Sequence, residues 1–185
     1  MPFSHIALAT SDIEATHRFY TGPMGFRLAK VVAAPTPGDT GWARHVFYDC
    51  GEGEYIAFWD IHDATIPAVR GDLSASLGLP GWVNHLAWAA ADEAAYQGHL
   101  RRWLDHGLAA AEIDHGFCRS IYADDPNGIM VEFCLMTREL GADDEAEGER
   151  LLAASMPDLE PPPGVVFHEP VAPAPAPTPA PAPAR

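Results

Sequence analysis

At 185 residues and 48% hydrophobic content, the chain has material for one ordinary domain and an appendage, which excludes two large domains. Eleven basic against 26 acidic residues give a formal charge of −15, a field that repels phosphate backbones and anionic lipid and so disfavours nucleic-acid and membrane partners. No run reaches the ~18 consecutive apolar residues of a membrane span, and the start MPFSHIALATSD lacks the basic and apolar regions of a secretory signal, so a cytoplasmic location is expected.

Residues 3 to 9, FSHIALA, alternate in the manner of a strand. Ser11 with Glu14 three residues on then spells a capping box for a helix through Tyr20. Apolar-rich stretches at 26 to 34, 42 to 49 and 55 to 61, separated by PTPGDTG and GEGE, predict three more strands. The order then recurs. Residues 82 to 90 alternate, Asp92 caps a helix through His106, and Gly107 closes it as Gly25 closes the first. AAAEIDHG, CRSIYA and IMVEFCLM supply three further strands, the last two joined by the tight turn DDPNG. The chain thus predicts an α+β fold of two βαβββ modules, about 3–61 and 82–137, in a domain spanning 1–140.

Residues 60 to 81 form a long connection between the modules, a length at which lids and binding loops occur, and Arg70, His62 and Trp82 are its candidates for contact with a substrate. Beyond residue 140 the composition changes twice, first to an acidic stretch and then to the Ala/Pro alternation VAPAPAPTPAPAPAR. Neither offers enough apolar surface to fold alone, so 141–185 is expected to be a disordered tail. Cys50, Cys118 and Cys134 lack CxxC spacing and are read as reduced and structural.

Residues two apart in a strand share a face. Ile6 and Leu8, Leu86 and Trp88, and Val131, Phe133 and Leu135 make the greasy sides that pack under the two helices. His5, His85 and Glu132 then fall on the opposite face among small neighbours, at repeat-equivalent places. A carboxylate facing imidazoles away from water needs a cationic partner, which a metal ion supplies. Two neutral imidazoles and one carboxylate match the facial triad of non-haem Fe(II) oxygenases, with positions left open for substrate and O2.

The paired modules with these three residues resemble the vicinal oxygen chelate superfamily, which contains glyoxalase I, bleomycin and fosfomycin resistance proteins and type I extradiol dioxygenases. The resemblance spans residues 3 to 137 and is sharpest at Ile113-Asp114-His115, Ile121-Tyr122, Asp125-Pro126, Gly128 and Glu132, which is similar to the extradiol signature. It implies a cupped mixed sheet around a metal site in which His5, His85 and Glu132, all of one chain, ligate Fe(II), or Mn(II) as in some members. It further implies that Tyr122 hydrogen-bonds a bound diol oxygen and that His115 orients substrate. Glyoxalase-like members draw a fourth ligand from the position that is Ala57 here, and alanine cannot ligate. The three-ligand pattern therefore points to ring cleavage of a catechol-like or vicinal-diol aromatic by O2.

One departure stands out. The extradiol pattern places an acid-base histidine in the last strand of the first module, where this chain reads GEGEYIAFW and offers only Glu54 and Tyr55; His45 on the preceding strand is a candidate to substitute. Trp42, Trp59, Trp82 and Phe117 are candidate walls for a planar ring. Two other activities fit the same resemblance: a redox-neutral lyase or isomerase, and a protein that sequesters a planar drug. Pairing of subunits is left open, members of the superfamily being commonly dimeric.

Overall fold

The computed structural model of the protein describes residues 3–68 and 70–170. The first module contains β1 (His5–Thr10), α1 (Ile13–Thr21), β2 (Arg27–Pro35), β3 (Gly41–Gly51) and β4 (Glu54–Asp63). A short helix α2 (Leu73–Ser76) lies in the connection. The second module repeats the order as β5 (His85–Ala89), α3 (Glu93–Asp105), β6 (Ala110–Asp114), β7 (Cys118–Asp124) and β8 (Met130–Met136). Each module folds as its own sheet, ordered β1-β4-β3-β2 and β5-β8-β7-β6, with β1 parallel to β4 and β5 parallel to β8. The expected βαβββ repeat is therefore the observed architecture.

Local chemistry explains the element ends. Asp92 accepts the Ala95 N–H at 2.8 Å and starts α3 as expected. In the first module the cap moves by one residue: Asp12, not Ser11, accepts the Ala15 N–H at 2.9 Å. Aspartate at this position satisfies an orphan N–H and also places negative charge at the positive end of the helix. Gly25 and Gly107 sit at φ 73° and 78°, a left-handed conformation that glycine adopts without a Cβ clash.

A continuous core lies beneath both helices. Tyr20 and Met24 from the first helix region and Tyr96 and Trp103 from α3 meet Tyr48, Phe58, Val131 and Phe133 from the sheets, all buried. Leu8, Leu86, Trp88 and Leu135 join it as the alternation predicts. Ile6 is left 39% exposed and instead borders the seam between modules beside Leu86 and Trp88.

The DDPNG turn does more than reverse the chain. Asp125, buried, accepts the N–H groups of Asn127 and Ile129 at 2.8 and 2.9 Å. It also accepts the Tyr20 phenol across the module boundary at 3.1 Å. Asn127 continues the junction, taking the Thr10 hydroxyl at 2.7 Å and donating to Thr16 at 3.2 Å.

The segment after residue 140 departs from the expected disorder within the described residues. A helix α4 (Ala142–Ala153) forms with no buried residue. A ninth strand, β9 (Val165–His168), pairs antiparallel with β6 and makes the second sheet five-stranded. Four residues cannot hold a strand alone, and β9 takes its backbone partners from the otherwise open edge of β6. The Ala/Pro repeat at 171–185 lies outside the described residues. No helix among the described residues is long and apolar enough to cross a membrane.

Candidate metal and substrate site

Parallel pairing of β5 with β8 sets Ala87 opposite Glu132 and His85 opposite Met130. The small Ala87 leaves space above the sheet, and His85 leans diagonally so that its Nε2 stands 3.1 Å from Glu132 Oε2. Glu132 is buried, and its other oxygen accepts the Ser120 hydroxyl at 2.5 Å. The His85 Nδ1 lies 3.0 Å from the Trp82 carbonyl. Because a carbonyl only accepts, Nδ1 carries the proton and donates it. In the neutral imidazole, Nε2 then directs a lone pair at a carboxylate oxygen. That contact is favourable only with a proton, on the imidazole or on the carboxyl, or a cation between the two atoms. Donor atoms about 3 Å apart are also what two adjacent ligands with bonds of about 2.1 Å present to one ion. The imidazole–carboxylate donor set therefore fits a divalent metal.

Beside this pair, antiparallel pairing of β7 with β8 places Tyr122 opposite Glu132 on the same face. The Tyr122 phenol oxygen is 3.0 Å from His115 Nε2. Burial, helped by the nearby Glu132 charge, pushes the Tyr122 phenol up to about 12, so it keeps its proton at neutral pH. Four of the five residues singled out from the sequence thus form one continuous cluster on the second sheet.

His5 is placed elsewhere. It sits on the first sheet with its ring 5.5 Å from Phe47 and 6.1 Å from His45, beside a cavity of about 450 Å³ that Tyr55 and Lys30 also line. Among the described residues no three His, Cys, Asp or Glu side chains converge on a point that could hold a metal ion. Within one copy the second sheet therefore supplies two of the three expected ligands, and the first sheet presents the third on its own open face.

His45 stacks on Trp59 with centroids 4.0 Å apart, and its Nε2 is buried with no hydrogen-bond partner among the described residues. Burial, then the neighbouring His5, holds its pKa below the usual imidazole value. Of the candidate ring walls, Trp59 shares the His5 face, whereas Trp42 follows the opposite alternation and is covered by His62 and Arg44. His62 is occupied there with Asp60 at 2.9 Å. Trp82 contributes through its carbonyl rather than its exposed indole. Cys50, Cys118 and Cys134 are free, and burial raises the Cys118 thiol to about 11, which keeps it protonated.

Three neighbours of the site were not anticipated. Ser120 was unremarkable in sequence, yet its parity with Tyr122 on β7 could have found it. Lys30, the only lysine in the chain, reaches the His5 face because the β2–β3 register shifts between Leu28 and Lys30. Such a bulge moves every later side chain to the other face of its strand. Phe167 arrives on β9, from the segment expected to be disordered.

The comparisons agree with this architecture. The chain aligns with SMU.1112c at 19% identity and a TM-score of 0.54, covering 72% of this chain and 98% of that one. FosX, the genomically encoded fosfomycin resistance protein of Listeria monocytogenes, aligns at 18% identity and a TM-score of 0.51, covering 74% and 94%. A lactoylglutathione lyase from Agrobacterium tumefaciens aligns at 21% identity and a TM-score of 0.47, covering 72% and 92%. No curated protein sequence matches. For the first two, at these identities, the likeness is one of fold. Residues 3–133 match the family description directly, and the chain belongs to the glyoxalase/bleomycin resistance protein/dioxygenase superfamily.

Proposed function

We propose that this protein is a metal-dependent extradiol-type dioxygenase that opens a catechol-like or vicinal-diol aromatic ring with O2. His85 and Glu132 are two of its metal ligands, with Fe(II) the first expectation and Mn(II) the second. His5 is the third ligand, brought to the pair on the first sheet of a second copy, in keeping with the homodimers common to this fold. The single observation that carries the reading is the unbalanced His85–Glu132 contact, whose Nδ1 proton is already committed to Trp82.

A divalent ion held there would polarise both oxygens of a diol and lower their proton affinity. The chain's own residues handle the rest. Tyr122, protonated and adjacent to Glu132, is positioned to donate a hydrogen bond to a diol oxygen. His115 Nε2 then receives or returns a proton through that phenol, a role worth about 10²- to 10⁴-fold in rate. Ala87 on β5 and Ala57 on β4 leave the two open faces uncluttered.

The experiment is anaerobic purification, metal analysis and an oxygen-electrode screen of catechols. Bound iron with O2 consumed in proportion to diol supports the reading. Turnover without O2 on nickel, cobalt or magnesium would assign a redox-neutral lyase or isomerase instead, and ligand affinity that survives EDTA would assign a sequestering protein.

A further inference from the structure

The superfamily match ends at residue 133, yet the second sheet extends past it. Strand register sets one row straight across that sheet: Ala87 on β5, Glu132 on β8, Tyr122 on β7, Ala111 on β6 and Phe167 on β9. All five residues share a face. Phe167 is 75% exposed, so it stands over the sheet surface rather than in the core. A cavity of about 250 Å³ opens there, lined by Ala111, Tyr122, Met130 and Phe167 together with Asp124 and Glu169. The strand that delivers Phe167 is pinned from its other face. His168 Nε2 meets Glu112 at 2.8 Å, and the buried Tyr96 phenol donates to the same carboxylate at 3.0 Å.

The dimensions select the occupant. Tyr122 and Phe167 stand two strand spacings apart, about 9.6 Å, with only the Ala111 methyl between them. One flat apolar layer between the walls needs about 7 Å and fits, resting on one wall at a time, whereas two stacked layers need about 10.5 Å and do not fit. The slot takes one.

We infer that β9 is a specificity element: Phe167 is the far wall of a slot, floored by Ala111 and closed by Tyr122, for the flat apolar end of an elongated ligand. Resting on the proposed function, the ligand is one whose oxygens reach His85 and Glu132 while a second ring crosses Tyr122 into the slot. A one-ring diol does not reach Phe167, because Glu132 lies three strands away.

The test titrates 2-naphthol against the full chain with EDTA present, reading the fluorescence of the probe. Wild type binds. Phe167→Ala weakens binding about tenfold, the loss of one aromatic wall, and Ala111→Phe, which fills the floor, weakens it as much. Val166→Ala, on the opposite face of β9, binds as wild type does. No binding by wild type, or equal affinity in wild type and Phe167→Ala, overturns the inference. Because 2-naphthol has no vicinal oxygen pair and the measurement excludes metal, the result is separate from that of the metal assignment, which iron retention by His85→Ala decides.

Discussion

His85 Nε2 and Glu132 Oε2 stand 3.1 Å apart while the other nitrogen of the imidazole donates to a backbone carbonyl, so the contact needs a positive charge, a proton or a cation, between the two atoms. If that charge is a metal ion, His85→Ala leaves a soluble fold, because the side chain is 36% exposed, but loses metal retention. A variant that keeps stoichiometric iron by elemental analysis removes the assignment.

In the proposed site Ser120 would act on a metal ion only through Glu132, whose Oε1 accepts its hydroxyl at 2.5 Å. Removing such an outer partner typically costs 10- to 100-fold in metal affinity. Ser120→Ala should fall in that range in a competition titration against a chelator, while Ser120→Thr, which keeps the hydroxyl, recovers most of it.

The Tyr122–His115 contact is the proton-handling element of the proposed reaction. Tyr122→Phe is expected to lower kcat by about 10²- to 10⁴-fold with iron content unchanged. Full turnover by the phenylalanine variant would transfer the role elsewhere, with His45 the first residue to test.

Most of this arrangement was legible because it is local. Capping residues, glycines at helix ends and period-2 alternation are all encoded within a few positions, and they placed both modules. The His85–Glu132 encounter followed too, since two parallel strands of one module share a register. His5 did not follow, because alternation assigns a side chain to a face but says nothing of how one sheet sits against another. The slip by one residue at the first helix cap reflects two adjacent acceptors, Ser11 and Asp12, either of which could serve. Strand β9 was invisible because VVFH gains its partners from the edge of β6 rather than from its own pattern, and Lys30 changed face through a bulge that its neighbours do not announce.

Folding stability carries its own pH signature. His99 stacks on Phe133 with centroids 3.7 Å apart, and burial, then the adjacent Arg102, lowers its pKa to about 4. A depressed imidazole binds its proton more weakly when folded than when unfolded. Stability is therefore fully present above the unfolded value near 6.5 and declines as pH falls from there through about 4. Urea midpoints should drop across that window, and His99→Leu should flatten the drop. An unchanged slope in the variant would show that other groups set it.

The junction between modules rests on a buried polar contact. Tyr20→Phe removes the donor to Asp125, whose carboxyl is already pushed above the usual carboxylate range by burial. That oxygen keeps the Asn127 side-chain amide at 2.9 Å, so the loss of one buried hydrogen bond should cost about 0.5–1.5 kcal/mol in urea denaturation. In the double variant with Asp125→Asn the two losses should not add, as expected for residues in direct contact. Strict additivity would mean that the contact contributes nothing.

Whether His5 completes the site from a second copy can be decided by mixing. Chains carrying His5→Ala and chains carrying His85→Ala are each expected to lack iron and activity. In a mixed dimer, the intact His5 of the His85→Ala copy meets the intact His85–Glu132 pair of the His5→Ala copy, while the reciprocal site holds both substitutions. Random exchange of equal amounts makes half the dimers mixed, each with one of its two sites restored, so about a quarter of wild-type iron and turnover should return. If all three ligands belonged to a single chain, every site in the mixture would carry one of the two lesions and nothing would return. Iron content separates these results without reference to any substrate.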